Sequence, residues 1–180
     1  AEDGHLKLFF DNDWNCSYDI FSYGHDIEAS WLLHESALVL GEEESLAKVE
    51  ARVPSVVAAA TEGFTPEGGM IYEKLGDHID GDRHWWVQAE TVVGYFNLWD
   101  HFGSQEGLEN ALTCWEFTKG NIIDKEGGEW FWSLRGDGTV NRDDDKAGFW
   151  KCPYHNGRMC MEVMERVAQL SDNQENKTFG

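Results

Sequence analysis

The sequence predicts an all-α fold, built as an array or toroid of helical hairpins with short β-hairpins in the connecting loops. Apolar residues recur at helical spacing along most of the chain. The order helix, helix, hairpin-bearing loop occurs twice before a last helix, and the first, third and fifth predicted helices begin near residues 26, 85 and 155. Such recurrence is typical of α/α arrays and toroids. In a toroid these three helices would line an inner ring and face one shared pocket.

The length of the chain sets the size of this unit. A chain of 180 residues is long enough for one domain with its own core, so residues 1–180 are expected to form a single domain. Five predicted helices are too few to close a toroid of the usual size.

The first half of the chain is predicted to contain a strand, two helices and a hairpin. The run 6–10 has the character of a strand, and the first helix is predicted over 26–41, with Gly41 as its carboxyl-terminal stop. A second apolar stripe spans 46–60, and Pro54 should kink or divide that helix. The glycine- and acid-rich loop 63–83 could pair segments 70–72 and 78–82 as a hairpin.

The second half repeats this order. Helices are predicted over 85–102, 105–123 and 155–170, and the apolar stripe of the last one comprises Cys160, Val163, Met164 and Val167. A second hairpin is expected around 129–133 with a turn at 136–138. The polar tail after Ser171 is expected to be frayed.

The composition limits the partners that the chain can bind. With 34 acids against 14 bases the net charge is −20, which opposes binding to nucleic acid or to an anionic membrane and disfavours a phosphorylated substrate. A neutral ligand fits better. Nine tryptophans and ten phenylalanines supply large flat side chains that fill cores and also stack on sugar rings.

The sequence also indicates a compartment. The first five residues are polar and no apolar run approaches the length of a membrane helix, so neither a signal peptide nor a membrane span is expected. The four cysteines form no CxxC pair and are interpreted as free thiols in a reducing compartment, which predicts a cytoplasmic protein.

Two histidines are the main candidates for chemistry. His25 and His155 each stand where an irregular loop turns into a helical pattern, and each has a tryptophan close by. Two imidazoles that met in space could move a proton between two faces of one carbon. Glu28 shares a helix face with His25 and could fix its tautomer. In the alternative interpretation His25 only caps or packs its helix, and His155 is a buried histidine bonded to a backbone carbonyl.

Further candidates surround these histidines. Trp86 and Glu90 share a face of the third helix, Trp85 points to a different face, and Trp150 stands in a loop, where a large aromatic side chain needs a reason. Two histidines and a carboxylate can bind iron or zinc, but nothing in the spacing requires it, and no metal or other cofactor is expected. Generic core packing remains the alternative for about half of the tryptophans.

Four segments, taken together, resemble the cellobiose 2-epimerases, which lie within the wider N-acylglucosamine 2-epimerase family. The resemblance covers nearly the whole chain in order, and the Asp26-Ile27 pair is closer to the disaccharide epimerases than to the enzymes for N-acyl sugars. The segments are 22–33 (SYGHDIEASWLL), 83–90 (RHWWVQAE), 128–132 (GEWFW) and 150–160 (WKCPYHNGRMC).

The resemblance implies an (α/α)6 barrel about twice as long as this chain, of which the chain is similar to the carboxyl-terminal half. The expected partner is then the missing amino-terminal half, which would supply an arginine and another histidine. The resemblance implies that His25 and His155 are the acid/base pair at C2 of a sugar. It also implies that the substrate contacts come from Glu28, Trp31, Trp86, Glu90 and Trp150, with Trp86 and Trp150 stacking on sugar rings.

The function expected from this resemblance is inversion of C2 at the reducing-end glucose or mannose unit of a neutral β-1,4 disaccharide such as cellobiose, through ring opening and a cis-enediolate. An N-acylglucosamine 2-epimerase or a mannose isomerase would share that intermediate. A glycoside hydrolase on an α/α toroid, using Glu28 and Glu90, is an alternative of another class. An inactive truncated fragment is a third.

Overall fold

Helices dominate the computed structural model, which describes residues 3–178 and the side chains of residues 3–172. None of its described helices is both long and apolar enough to cross a bilayer. Six helices occur in this part of the chain: α1 (Tyr23–Leu40), α2 (Glu43–Glu50), α3 (Val53–Thr61), α4 (Trp85–Phe102), α5 (Gln105–Asn121) and α6 (Tyr154–Thr178). Five short strands accompany them: β1 (Ile20–Ser22), β2 (Glu73–Leu75), β3 (His78–Asp80), β4 (Arg83–His84) and β5 (Ser133–Leu134).

Helix α4 is the centre of the fold. It packs against α1 on one side and α6 on the other, while α5 packs on α4 and α3 packs on α1 from a second layer. Every residue of α4 from Trp85 to Asn97 is buried, as expected for a helix surrounded by others. The first, third and fifth predicted helices, α1, α4 and α6, therefore form one layer, and the intervening helices form the other.

Two glycines allow α1 and α4 to approach closely. A Cβ added at Gly24 would lie 2.6 Å from the Trp86 ring, and one added at Gly94 would lie 2.5 Å from Ile27. Neither contact is sterically possible, so a larger residue at either position would push the two helices apart.

Three helix ends lie at residues that commonly cap or interrupt helices. Gly41 adopts a left-handed φ of 68° and closes α1 through a bond from its N–H to Ala37. Pro54 lies in the first turn of α3, where its missing N–H costs no helical hydrogen bond, and the predicted second helix is divided just before it into α2 and α3. The Ser104 hydroxyl accepts from the Gly107 N–H and caps α5.

The predicted strands required correction. Residues 6–10 form no strand beyond a single bridge from Phe10 to Cys16, because the Leu6 N–H donates to the Asp26 carboxylate at 2.8 Å instead of to a neighbouring strand. The first hairpin pairs β2 with β3, so its first arm lies after 70–72, and β1 completes a three-stranded sheet.

The second predicted hairpin is also only partly correct. The turn at 136–138 is closed by an Arg135–Thr139 hydrogen bond and a bridge from Leu134 to Val140. The strand partner of β5, however, is β4, which lies far away in sequence and leads directly into α4. Pairing with β4 fixes the direction in which α4 begins.

The last helix is longer than predicted. α6 continues through Ser171 to Thr178, so the expected frayed tail is wrong within the described residues. No proline or glycine interrupts 171–178, and the glutamine, glutamate and lysine there are good helix formers.

Most of the predicted apolar stripe of α6 faces outward, and only Val163 of its four residues packs partly against the core. Met164 is 72% exposed, and together with Val167, Leu112 and Trp115 it lines an apolar groove of about 380 Å³ between α5 and α6. Among the described residues nothing covers this groove. An apolar surface of this kind favours association in water.

Tyr72 and His84 stack at the junction between the hairpin loop and α4, with ring centroids 4.1 Å apart and an angle of 13° between the planes. Burial lowers the pKa of His84 below its ordinary value, and the carboxylates of Asp80, Asp82 and Asp144 offset this only in part. His84 is therefore neutral near pH 7.

The apolar groove predicts that the 180-residue chain by itself associates with a second copy. Met164→Glu places a charge in the groove and should raise the dissociation constant at least about tenfold, or about 1.4 kcal/mol. Analytical ultracentrifugation over a range of protein concentrations measures it. Met161→Glu is the matched control, because Met161 is 67% exposed on the same helix but does not line the groove. A wild-type chain that stays monomeric at every concentration would contradict the prediction.

The lowered pKa of His84 predicts a pH-dependent stability. Below about pH 6.5 the unfolded chain takes up a proton on this residue before the folded chain does, so stability falls as the pH falls. His84→Phe keeps a ring against Tyr72 and cannot titrate. Between pH 7.5 and 5.5 the wild type should lose more free energy of unfolding than the variant, by up to about 1.4 kcal/mol per pH unit. Urea unfolding at one fixed protein concentration tests this, and parallel pH curves would refute it.

Candidate active site

A cavity of about 600 Å³ opens where α1, α4 and α6 begin. β1 ends at Ser22 directly before α1, and β4 ends at His84 directly before α4, so these two helices each begin at the end of a strand. The cavity is therefore formed by residues from the first turns of helices and from the loops before them. Its lining comprises Phe9, His25, Glu28, Tyr72, His84, Trp85, Trp86, Trp132, Trp150, Tyr154 and His155.

His155 is held by a buried carboxylate. Its Nδ1 lies 2.6 Å from Oε1 of Glu90, which is 1% exposed. An ionised carboxylate can only accept, so against such a group Nδ1 of His155 would donate and Nε2 would be left for the cavity. The Tyr154 ring lies 3.9 Å from the imidazole, centroid to centroid, and limits its rotation.

His25 has a different partner. Its Nδ1 lies 2.7 Å from the hydroxyl oxygen of buried Ser22, a group that can donate or accept. The rings of His25 and His155 lie 4.9 Å and 5.5 Å from the Trp86 ring, centroid to centroid. The structure therefore brings the two histidines, far apart in sequence, to the same indole.

Sequence reasoning missed Arg158, which joins the two carboxylates. Its Nη2 donates to Oε1 of Glu28 and to Oε1 of Glu90, each at 2.7 Å. Burial disfavours the charge of Arg158, but the hydrogen bonds and charges of Glu90 and Glu28 outweigh that effect and raise its pKa. Its position three residues after His155, on the same helix face, was the available signal.

Glu28, Glu90 and His155 offer donor atoms within 4.8 Å of one another, an arrangement that could hold a metal ion. The guanidinium of Arg158 already contacts one oxygen of each glutamate. The positive charge that such a donor set attracts is thus supplied by the chain itself. We therefore assign no residue here as a metal ligand.

The tryptophans divide into three environments. Trp86 lines the cavity beside both histidines, and Trp150 is 79% exposed at its rim. Trp85 packs on Trp132 with centroids 4.6 Å apart, but it also lines the cavity and its ring lies 6.5 Å from that of His155, so Trp85 and Trp86 share part of their surroundings. Glu90 and Trp31, both expected to contact the sugar, are not part of the described cavity lining, and Trp31, like Glu90, is 1% exposed. The indole N–H of Trp31 instead donates to Oε2 of Glu90 at 2.9 Å.

A buried lysine holds the rim in place. The Nζ of Lys151 lies over the Trp85 ring, donates to the Lys146 carbonyl at 2.8 Å and contacts Glu129 at 3.2 Å. Glu129 also accepts from Asn156, next to His155, at 2.9 Å. Burial lowers the pKa of Lys151, although Glu129 opposes this. These bonds connect the loop that carries Trp150 to the start of α6.

Comparison with known proteins identifies sequences that are similar to this chain over most of its length. The model of the N-acylglucosamine 2-epimerase (GlcNAc 2-epimerase) family matches residues 1–157. A cellobiose 2-epimerase of Bacteroides fragilis is 64% identical over 162 residues, which are 89% of this chain and 41% of that protein. A cellobiose 2-epimerase of Ruminococcus albus is 47% identical over 167 residues, 92% of this chain and 43% of that protein. The chain thus spans less than half the length of these relatives.

Solved structures agree with the sequence comparison. A sugar epimerase from a ruminal bacterium superimposes with a TM-score of 0.88 at 42% identity, covering 92% of this chain and 43% of that one. Cellobiose 2-epimerase from Bacillus thermoamylovorans gives 0.85 at 38% identity, covering 92% and 42%. An α-mannanase of glycoside hydrolase family 76 from Bacteroides thetaiotaomicron, at 15% identity and a TM-score of 0.64, shares the fold alone.

These likenesses establish the fold class. The solved cellobiose 2-epimerases have an (α/α)6 toroid, and the all-α (α/α)6 prediction is confirmed. The family model covers most of the chain, and the two relatives that are 64% and 47% identical to the chain carry the name epimerase. This chain belongs to the N-acylglucosamine 2-epimerase family.

Proposed function

We propose that residues 1–180 form one domain that is the carboxyl-terminal portion of a sugar 2-epimerase, which inverts C2 at the reducing-end glucose or mannose unit of a β-1,4 disaccharide such as cellobiose. The observation that carries the proposal is the placement of His25 and His155 at one indole inside one cavity. The names of the relatives support the substrate class.

The chemistry follows from the two imidazoles. Once the sugar ring opens, the C2 hydrogen lies beside an aldehyde and becomes acidic. A neutral histidine removes this proton and leaves a cis-enediolate, and the other histidine, protonated, returns a proton to the opposite face of C2. Imidazole suits both roles because it changes charge near neutral pH. The reaction requires neither a redox cofactor nor a metal.

The surroundings suit a neutral disaccharide. Trp86 presents an indole beside both histidines, and Trp150 offers an exposed one farther out, so each can stack on the C–H face of one sugar ring. A cavity of about 600 Å³ has room for a sugar of this size. A net charge of −20 does not repel an uncharged ligand.

The described residues supply one side of the site. The relatives contain a further segment that this chain does not match. We propose a corresponding amino-terminal half as the partner that closes the toroid over the cavity. In that assembly the apolar groove between α5 and α6 would be covered. A chain without that half is then expected to be inactive, which is the truncated-fragment alternative.

The geometry disfavours the hydrolase alternative. A glycosidase needs one carboxylic acid that is protonated and can reach the glycosidic oxygen. Glu28 and Glu90 both accept from Arg158, and Glu90 is almost fully buried, so neither carboxyl group is free to donate to a glycosidic oxygen. The α-mannanase shares only the fold with this chain, which is no evidence for a catalytic acid here.

The proposal predicts that His155→Asn reduces C2 epimerisation by about 10²- to 10⁴-fold, because proton transfer at one face is lost. The assay uses the toroid completed with the amino-terminal segment of the Bacteroides fragilis relative, with product analysis on cellobiose, mannose and N-acetylglucosamine. His101→Asn is the control, since His101 lies in the last turn of α4, away from the cavity. Near wild-type epimerisation by His155→Asn refutes the proposal, and hydrolysis products that vanish with Glu28→Gln would favour the hydrolase.

A further inference from the structure

We infer that Arg158 is a positioning residue: its guanidinium keeps Glu90 ionised, and ionised Glu90 holds His155 in the tautomer that carries its proton on Nδ1 and leaves the Nε2 lone pair for the cavity. The geometric part of this inference is independent of the reaction. Its catalytic consequence rests on the proposed function.

Glu90 is the acceptor for three donors. Its Oε2 accepts from the Trp31 indole, and its Oε1 accepts from Arg158 and from Nδ1 of His155. These donors come from α1 and α6, while Glu90 itself is on α4. A carboxylate surrounded in this way can stay ionised although it is buried, because every donor stabilises the charged form.

The charge of Arg158 is needed because Glu28 lies next to Glu90. One guanidinium nitrogen bonds both carboxylates. Without it, two carboxylates would lie side by side in a partly buried site, and one of them would take up a proton. Besides Glu28, the titratable groups of the cavity lining are His25 on α1, Tyr72 before β2, His84 on β4, and Tyr154 and His155 on α6.

A protonated Glu90 would reverse the hydrogen bond to His155. Its hydroxyl would donate to Nδ1, and the imidazole would then carry its proton on Nε2. An Nε2 that already holds a proton cannot accept one from C2. The loss of a charge that touches no substrate would thereby stop proton abstraction by His155.

Two comparisons within the chain isolate this effect. His25 is bonded to the Ser22 hydroxyl, which either donates or accepts, so its tautomer should not respond to Arg158. Arg166 lies two turns farther along α6, is buried, and bonds Asn97, Glu35 and Glu162. Substituting Arg166 removes a similar buried network without touching Glu90.

Long-range ¹H–¹⁵N spectra of histidine-labelled 180-residue chain report the tautomer directly. In the wild type His155 should show a protonated Nδ1 at pH 7.5. Arg158→Gln should shift His155 toward the Nε2-protonated form, Arg158→Lys should largely preserve the wild-type pattern, and Arg166→Gln should leave it unchanged. A wild type with the proton on Nε2 overturns the inference without any variant. A folded Arg158→Gln chain, checked by circular dichroism, with an unchanged His155 pattern also overturns it.

The completed toroid adds the catalytic readout. Arg158→Gln should lower kcat for cellobiose epimerisation more than tenfold with KM changed less than threefold, and Arg158→Lys should recover most of the rate. Loss through KM alone contradicts a positioning role. If neither the wild type nor any variant epimerises a sugar, the proposed function is wrong. The tautomer of His155 is still tested separately by the spectra.

Discussion

The carboxylate of Glu90 is the interaction on which the site depends. It lies on the central helix α4 and bonds Trp31 on α1 and both His155 and Arg158 on α6. An unpaired buried charge would cost several kcal/mol, so the three helices are stabilised only in the arrangement that brings all these donors to it. The position of His155 is therefore set by the packing of the whole layer as well as by its own loop.

That arrangement requires a short distance between α1 and α4. Gly24 and Gly94 remove the side chains that would separate these helices, and the indole of Trp31 can then reach Glu90. The same close approach places Trp86 against His25. Backbone space at two glycines thus controls both the buried network and the wall of the cavity.

The sequence predicted those elements that depend on local signals. The helix over Trp85–Phe102 follows from apolar periodicity, and the ends at Gly41 and Pro54 follow from residue chemistry. Strands of two or three residues were misplaced because their partners, such as β4 for β5, are distant in the chain. Arg158 was missed for the same reason, since its carboxylate partners lie 130 and 68 residues away.

The two histidines are bonded through Nδ1 by groups that tolerate both of their protonation states. In the proposed reaction each turnover moves a proton from one imidazole to the other, so each must exist neutral and charged. His155 can keep donating to Glu90 from Nδ1 in both forms, while Ser22 can turn its hydroxyl to match His25. For His155 the proton change is then confined to Nε2. A pair held in this way can run the reaction in either direction without rearranging the helices that carry it.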